Sequence, residues 1–555
     1  MWQASFRNRT FSTHSATESK KLVVKPLRDL NASVWSTELE FDTDKEFLLQ
    51  GIISGFDIVT EDNIPSGISA KNHPSVSLNS PLYSKAHAQV LAEIECGNYV
   101  FADCEPKIIS PMAALSKPDG GIRLIHDCSR PAGSAVNDFV SNLDKHKFQT
   151  VDDAVKLVTK NCYMAKVDLK SAYRSVRLSS KSQQVTGFKW TFPDGREHVL
   201  LDKKLPFGSK LAPGIFHRLS QAVRRMMSRR GFQIVAYIDD FFICESSKQK
   251  CQTALNTLIS LLRQLGFLIN WSKVVDPTQK LTFLGIEIDS KDMELRLSDD
   301  KLANLQAELA AFSERKRASK KQLQSLAGKL NWASAVVRGG RVFLRRIIDG
   351  IAALKKDWHK AKLIGEIKRD ILWWRDFIST FNGKAMILDH IPITSVFTDA
   401  CKTGGGGVYN QDWFYANWQA DYPFVAHLHI NEIEAFSVVL ASLRWAHLWQ
   451  NKQVIIYSDN MATVHCINKC TSRNKLLMSY LRQLFWKSAK YNFHLKALHV
   501  EGRRNILADC ISRLHETRSF ITFLHGCLPQ PLYVQHLHPH MSHKSLQFLL
   551  KMHAT

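Results

Sequence analysis

Acidic side chains interrupt two segments that otherwise have the composition of buried strands. Asp168 closes the segment YMAKVD, and Asp239 and Asp240 stand side by side in AYIDDFF. An ionised carboxylate loses its hydration in an apolar strand, and a bound divalent cation offsets that cost. Nucleotidyl transfer uses carboxylates from separate strands to hold two Mg²⁺ ions about 3.5–4 Å apart. A bare Asp-Asp pair is more often a solvent-exposed turn, so the surrounding motifs decide between these interpretations.

A second set of acids lies in the last third of the chain. Asp399 and Asp459 each end a strand-like segment (FTDA and IYSD), Glu432 lies in the helical segment NEIEA, and Asp509 follows in NILADCISR. Each of these acids alone would be an ordinary surface charge. As a set on separate elements, they favour a second site that binds divalent cations.

The segments around the first set resemble the motifs of reverse transcriptases. Six such motifs occur in the family's order over roughly 180 residues: SPMAALSKPDGGIRLIHDCSRP, VDLKSAY, LPFGSKLAPGIF, YIDD, LGFLINWSK and LTFLGIEI. One match could arise by chance, but six in order do not. The resemblance implies RNA-directed DNA synthesis from dNTPs, in which one metal ion activates the primer 3′-hydroxyl and another steadies the triphosphate.

The resemblance also implies a role for each matching residue. Asp168, Asp239 and Asp240 would be the catalytic and metal-binding acids. The nucleotide-binding residues would be Lys117 and Arg123 on the triphosphate, Tyr173 closing off the space of a 2′-hydroxyl, Phe207 and Gly208 placing the template and incoming base, and Lys273 assisting the leaving pyrophosphate.

The second set of acids resembles the active site of ribonuclease H. This resemblance implies that Asp399, Glu432, Asp459 and Asp509 hold two Mg²⁺ ions, with Mn²⁺ as the alternative, and cleave the RNA strand of a hybrid. His499 precedes Asp509 by ten residues, the spacing of the family's loop histidine, which shuttles protons or helps product leave. Glu432 is preferred to Glu434 because it begins the E-x-x-A pattern, which leaves Glu434 as a solvated helix charge.

The pattern along the chain predicts an α+β protein. The two resemblances imply a right-hand polymerase, with fingers, a ferredoxin-like palm and a helical thumb or connection, followed by a ribonuclease H-like α/β domain. The expected boundaries are an N-terminal extension (1–85) with a helix near Asp44–Gly55, fingers and palm (86–290), thumb and connection (291–390), ribonuclease H (391–514) and a tail (515–555). Within the ribonuclease H part, Thr403–Gly407 is expected to be a glycine turn between two strands.

The charge balance favours a nucleic-acid partner. The 555 residues include 74 Lys+Arg and 51 Asp+Glu, a net charge of +23, and such an excess repels itself unless an anion neutralises it. From Phe312 to Ile348 there are ten Lys/Arg against one acid, Glu314. A basic helix is often only a solvated face, but this ratio favours a surface that follows phosphates.

The remaining composition argues for an intracellular setting. Eleven cysteines without CxxC pairs indicate a reducing compartment, and no apolar run is long enough to cross a membrane. We therefore expect a cytoplasmic or nuclear location. The first 17 residues lack acids and also fit a transit peptide, although a ragged terminus explains them better. The five histidines from His525 to His543 lack a zinc-like spacing and are expected to belong to a flexible tail.

The resemblance is closest to retrotransposons of the DIRS type (tyrosine-recombinase elements), with gypsy-type elements next. It rests on LHVEGRRNILADCISRL, INEIEAFSVVLASLRWA and VDLKSAYRSVRL. The expected partners are an RNA template, a DNA primer, the RNA–DNA hybrid and dNTPs, without a membrane. The sequence shows no protease triplet, zinc knuckle, or integrase or recombinase, so gag and an integrase or recombinase are expected elsewhere in a longer polyprotein. The alternative is a degraded or domesticated copy that binds nucleic acid without catalysis.

Overall fold

The structure is a computed structural model that describes residues 29–117, 120–141, 146–337, 339–380, 383–387 and 392–515. The segment compared with a transit peptide and the histidines from His525 to His543 lie outside these ranges. Every statement below on elements and contacts concerns the described residues.

The part of the chain up to Thr278 forms two sheets, a hairpin and the helices that cover them. Its elements are α1 (Ala32–Glu38), α2 (Lys45–Ser54), β1 (Ile68–Ser69), α3 (Tyr83–Glu95), β2 (Tyr99–Phe101), β3 (Ile108–Ile109), β4 (Met112–Ser116), β5 (Ile122–His126), α4 (Val151–Val155), β6 (Tyr163–Asp168), α5 (Ser180–Gln183), β7 (Gly187–Thr191), β8 (Glu197–Asp202), α6 (Ala212–Arg229), β9 (Ile234–Tyr237), β10 (Asp240–Glu245), α7 (Lys248–Gln264) and β11 (Val275–Thr278). The first sheet has the order β1-β3-β7-β8-β2, β4 and β5 form the hairpin, and the second sheet has the order β11-β6-β10-β9.

The second sheet is covered on both faces, which explains its unbroken apolar strands. Phe241 belongs to the core shared with α6 and α7, whereas Phe242 belongs to the core beneath the next sheet along the chain. Neighbouring residues of a strand point to opposite faces, so both must be apolar here. On α6, the buried residues Phe216, Leu219 and Val223 recur at helical spacing. This double cover fixes the strand ends that carry the acids.

Residues 29–85 pack onto the elements that follow them in the chain, chiefly α6 and α7. The Trp35 side chain is fully buried, and its Nε1 donates to the carbonyl of Leu265, which caps α7. Asp42 accepts hydrogen bonds from Arg225 of α6, and Asp44 accepts from Arg218 of the same helix. Helix α2 confirms the helix expected near Asp44–Gly55. The ion pairs of Asp42 and Asp44 attach this segment to α6 and help to hold that helix in place.

The next part of the chain combines four helices with short strands. Its elements are β12 (Lys280–Phe283), β13 (Ile286–Asp289), β14 (Glu294–Leu297), α8 (Asp299–Glu314), β15 (Arg317–Ser319), α9 (Lys320–Ala333), α10 (Arg345–Ala352), β16 (Lys360–Lys362), α11 (Gly365–Thr380) and β17 (Lys384–Met386). β12, β13, β14 and β17 form one sheet, and β15 pairs with β16. The region is mainly helical, as expected, but the strands β15 and β16 did not follow from its helical pattern.

The last part of the chain is an α/β unit. Its elements are β18 (Ile393–Ala400), β19 (Gly404–Tyr409), β20 (Asp412–Asn417), α12 (Trp418–Asp421), α13 (Ile430–Trp445), β21 (Gln453–Ser458), α14 (Met461–Lys469), α15 (Lys475–Tyr491), β22 (His494–His499) and α16 (Ile506–Ser512). The sheet order is β20-β19-β18-β21-β22. β18, β21 and β22 are parallel, so their carboxyl ends lie at one edge.

The expected glycine turn is wrong, because Gly404–Gly407 lie inside strand β19. All four are buried, and a Cβ on Gly406 would lie 2.4 Å from a side-chain carbon of Ile511 on α16. A Cβ on Gly405 would lie 2.2 Å from the Trp418 ring. These glycines therefore serve close packing rather than a turn, and they allow α16 to reach the sheet.

Candidate active sites

A two-residue hairpin turn presents Asp239 at the end of the second sheet. Tyr237 pairs with Asp240, so Ile238 and Asp239 form the turn. Ile238 has a φ of +50°, a conformation that costs a β-branched residue about 1–3 kcal/mol. Asp240 also lies opposite Asp168 on β6. The three predicted acids therefore meet at one end of the sheet.

A cavity of about 520 Å³ opens beside this turn. Seven predicted site residues line it: Lys117, Arg123, Asp168, Tyr173, Phe207, Asp239 and Lys273. They come from the β4–β5 hairpin, the second sheet and the segments after β6, β8 and α7. Asp240 and Gly208 do not line the cavity.

The two carboxylates at this cavity differ in their surroundings, because Asp168 has basic and polar partners whereas Asp239 is buried beside other acids. Asp168 is 4% exposed; its Oδ1 accepts a hydrogen bond of 2.7 Å from Asn270, and its Oδ2 lies 3.2 Å from Nζ of Lys273. Burial, followed by the charges of Asp240 and Asp168, raises the pKa of Asp239 to about 6. A divalent cation would favour the ionised form of Asp239, so the donor set fits such an ion.

Asp240 faces a lysine of the neighbouring strand. Its Oδ1 lies 3.2 Å from Nζ of Lys166 on β6, and both side chains are mostly buried. Burial raises the pKa of Asp240, while Lys166 lowers it. The ion pair explains how a second acid is accommodated in the apolar strand FFIC.

Aromatic rings form one wall of the cavity. The Tyr173 ring stacks on Phe207 with centroids 5.0 Å apart, and burial raises the pKa of the Tyr173 hydroxyl to about 12. The guanidinium of Arg123 lies 5.7 Å above the Phe207 ring. Gly208, with a φ of +133°, lies behind this wall, where a Cβ would be 2.0 Å from the carbonyl oxygen of His126. A larger residue would therefore displace the turn that holds Phe207.

The second site lies at the carboxyl edge of the last sheet. Oxygens of Asp399, Glu434 and Asp459 all lie within 4.8 Å of one another, the arrangement that a metal ion requires. Burial and, after it, the charges of the other two acids raise the pKa of Glu434, and its Oε2 has no hydrogen-bond partner. Burial is also the main reason that the pKa of Asp399 is raised to about 6. In the part of the chain that the structure describes, this is the one acid cluster of that tightness.

The structure places Glu434, and not the preferred Glu432, beside Asp399 and Asp459, and Glu434 is buried rather than solvated. Glu432 accepts a hydrogen bond from the backbone N–H of His429 at the start of α13 and another, 2.6 Å long, from Asn474. Two residues along a helix differ by about 200° in direction, so Glu434 faces Asp399 whereas Glu432 caps the helix. Since α13 is buried on nearly all faces from Ile433 to Ser442, hydrophobic periodicity could not distinguish the two.

Of the other two predicted residues of this site, Asp509 lies at the cavity and His499 does not. Asp509 lines the same cavity, of about 600 Å³, and its Oδ1 lies 2.9 Å from Nε of Arg513. His499 is exposed at the end of β22 and does not line the cavity. The structure thus brings together Asp399, Asp459 and Asp509, without Glu432 or His499.

Four polar residues that hold the acids were missed from the sequence: Lys166, Asn270, Ser512 and Arg513. The Ser512 hydroxyl donates a hydrogen bond of 2.7 Å to Oδ2 of Asp399. Three of them could have been found from their closeness in sequence to predicted site residues. Asn270 lies three residues before Lys273, and Ser512 and Arg513 follow Asp509 within one helical turn. Lys166 gave no such signal, because its partner lies on another strand.

Comparison with known families decides the class of the first site. Residues 115–288 match the family model described as reverse transcriptase (RNA-dependent DNA polymerase). The chain contains a reverse transcriptase domain. This family is generally dependent on divalent metal ions, and the matched residues include Asp168, Asp239 and Asp240.

Viral polyproteins extend the similarity beyond this reverse transcriptase domain. The chain is 23% identical over 376 residues to the putative enzymatic polyprotein of Cassava vein mosaic virus, covering 64% of this chain and 53% of the relative. It is 24% identical over 398 residues to the enzymatic polyprotein of Figwort mosaic virus, covering 67% and 53%. The chain thus spans about half the length of these relatives.

Solved structures bear out the predicted fold class. The foamy viral protease-reverse transcriptase in complex with an RNA/DNA hybrid superposes with a TM-score of 0.50 at 16% identity, covering 85% of this chain and 64% of that one. The dRH form with double-stranded DNA gives a TM-score of 0.50 at 16% identity, covering 80% and 72%. Among the described residues, no helix is long and apolar enough to span a membrane.

Proposed function

We propose that this protein is an RNA-directed DNA polymerase with ribonuclease H activity, which copies RNA into DNA and degrades the RNA of the hybrid. The observation that carries the proposal is the shared cavity of Asp168, Asp239, Lys117, Arg123 and Lys273. It combines acids suited to divalent cations with three basic side chains suited to a triphosphate.

In the polymerase cavity, each side chain has a distinct task. Asp168 and Asp239 hold Mg²⁺, which when bound activates the primer hydroxyl and neutralises charge on the triphosphate. Lys117 and Arg123, on the hairpin, bind phosphate oxygens. Lys273 is exposed on the cavity side of its ion pair with Asp168, which suits it to the pyrophosphate end of the nucleotide.

The base and sugar of the incoming nucleotide meet the aromatic wall. The stacked rings of Tyr173 and Phe207 are rigid and flat, and Gly208 lets the backbone behind them approach His126. We propose that Tyr173 disfavours a 2′-hydroxyl. Asp240 holds its position through Lys166 and contributes negative charge to the metal site.

In the nuclease cavity, Asp399, Glu434 and Asp459 hold divalent cations beside the scissile phosphate of RNA. These ions, Mg²⁺ with Mn²⁺ as the alternative, supply an activated water nucleophile when bound. The unpartnered Oε2 of Glu434 supports this assignment, because a buried carboxylate oxygen without a donor is costly. Asp509 completes the donor set, and His499, at the exposed end of β22, assists proton transfer or product release.

We further propose that the chain is a segment of a retrotransposon Pol polyprotein of DIRS type, with gypsy type as the alternative. The motifs that carry this are LHVEGRRNILADCISRL and INEIEAFSVVLASLRWA. Gag and a recombinase or integrase would then be encoded elsewhere, and the enzyme would act in the cytoplasm or the nucleus.

Primer extension on a labelled RNA template, with dNTPs and Mg²⁺, tests both activities together. The expected result is a lengthened DNA primer and a shortened RNA strand. A folded protein that binds the hybrid and gives neither product would contradict catalysis and favour a copy that only binds nucleic acid.

A further inference from the structure

Two basic segments that are distant in the sequence meet in a small ribbon. Strand β15 pairs with β16, with Arg317 opposite Lys362 and Ser319 opposite Lys360. Residues 315–321 and 355–362 together contain nine Lys/Arg and one acid, Asp357. We call these two segments the basic ribbon. Its second half lies outside the basic stretch from Phe312 to Ile348 that the sequence singled out.

The basic side chains of the ribbon lack carboxylate partners among the described residues, whereas several on the neighbouring helices have them. None of its nine Lys/Arg forms an ion pair with a described carboxylate. By contrast, Lys329 of α9 pairs with Glu308, and Arg346 of α10 contacts the carboxylates of Glu366 and Asp370. The ribbon therefore carries a dense group of positive charges that no described carboxylate neutralises.

An exposed aromatic ring lies among these charges. Trp358 is 68% exposed, and Nζ of Lys356 lies 5.1 Å from its ring centroid. His359 meets the same ring edge to face, and its carbonyl accepts a hydrogen bond from the backbone N–H of Lys320, which joins the two segments. Large exposed rings cost hydration free energy, and this ring is not needed for the core.

We propose that the basic ribbon binds an unpaired nucleic-acid strand, with Trp358 stacking on a base and the lysines contacting phosphates. An aromatic platform within a cationic groove is the arrangement that binds single strands without sequence preference. The phosphates of a duplex could contact the basic side chains, but its bases are stacked on each other, so none would be available to stack on Trp358. The proposal rests on the proposed function, because a template being copied has single-stranded portions.

The test uses the full chain and a fluorescein-labelled oligouridylate, with fluorescence anisotropy as the readout. Trp358→Ala should weaken binding of this probe roughly tenfold, the scale of one lost base stack, while Trp358→Phe should recover most of it. Lys362→Gln should lower the slope of log affinity against log salt by about 0.7, the value for one phosphate contact on a single strand. Affinity for a blunt DNA duplex should change far less in Trp358→Ala.

Matched controls keep the test independent of folding. Phe41 is an exposed aromatic residue (85%) outside the ribbon, and Lys248 is an exposed lysine on α7, so Phe41→Ala and Lys248→Gln should leave binding unchanged. Equal binding of the probe by Trp358→Ala and the wild type would overturn the proposal. Equal losses on single strand and duplex would also overturn it, in favour of a duplex contact. If the wild type bound no nucleic acid at all, the proposed function itself would fail.

Discussion

The hydroxyl of Ser512 donates a 2.7 Å hydrogen bond to Oδ2 of Asp399, and this bond connects the last helix, α16, to β18, the central strand of the last sheet. The same carboxylate contributes an oxygen within 4.8 Å of oxygens of Glu434 and Asp459. Bonds to ionised groups are stronger than neutral ones, so Ser512 fixes the orientation of the acid.

Ser512→Ala should reduce RNA cleavage roughly tenfold, because a hydrogen bond to a charged group contributes about 1.5–3 kcal/mol. DNA synthesis should be unaffected. Cleavage of a labelled hybrid measures the loss, with Ser479→Ala on α15 as the control, since Ser479 donates only to its own helix. Unchanged cleavage in Ser512→Ala would show that Asp399 is held by other contacts.

Glu434→Gln should lower RNA cleavage by about a hundredfold or more, since a charged metal ligand is lost. Glu432→Gln should retain cleavage, because the glutamine carbonyl oxygen still accepts the hydrogen bond from the backbone N–H of His429 at this helix start. Both variants replace a carboxylate by an amide on the same helix, so each is the control for the other. The reverse result would restore Glu432 as the ligand.

Asp239→Asn should abolish DNA synthesis and spare RNA cleavage, and Asp459→Asn should do the opposite. The acids belong to separate cavities on separate sheets, so neither substitution removes a donor from the other site. Both activities can be read from one labelled primer–template. Loss of both activities in either folded variant would contradict two independent sites.

Without divalent cations, Asp399 should make stability depend on pH. The folded protein binds this proton more tightly, because burial raises the pKa of Asp399 to about 6 from an ordinary value of 3.8. Between those values the folded state holds more protons than the unfolded state, so stability falls as pH rises through this window.

The expected size of that fall is about 3 kcal/mol for a shift of this size. Asp399→Asn should therefore be more stable than the wild type at neutral pH in EDTA, and less different at about pH 4. Urea unfolding across the window measures both. A wild-type stability that rises from pH 4 to 6 by more than that of the variant would contradict the raised pKa.

Gly208→Ala should lower the stability of the protein and displace the turn that holds Phe207, because the new Cβ would lie 2.0 Å from the His126 carbonyl oxygen. Gly195→Ala is the matched control, since its φ is also positive (+83°) but nothing lies within 4 Å of its Cβ. The control should lose about 1 kcal/mol from backbone strain alone. A Gly208 variant that is no less stable than the control, and equally active, would show that the turn can shift.

Much of the polymerase cavity could be predicted from the sequence because its parts are local motifs. The motifs YIDD and LPFG consist of consecutive residues, so Phe207 and Asp239 are identified by their immediate neighbours. The seven predicted site residues that line the cavity were identified this way. The metal ligand on α13 was harder to predict, because the acids at positions 432 and 434 lie in one apolar segment.

The sequence by itself determined the class of chemistry, the order of the domains and the excess of positive charge, since these depend on residue types and short spacings. Only the tertiary structure decided which glutamate meets Asp399, that Gly404–Gly407 form a strand beneath α16, and that residues 315–321 meet residues 355–362. The physical reason is that these outcomes depend on which face of a helix or strand is covered by an element far away in the chain. Packing of that kind leaves no mark on local spacing.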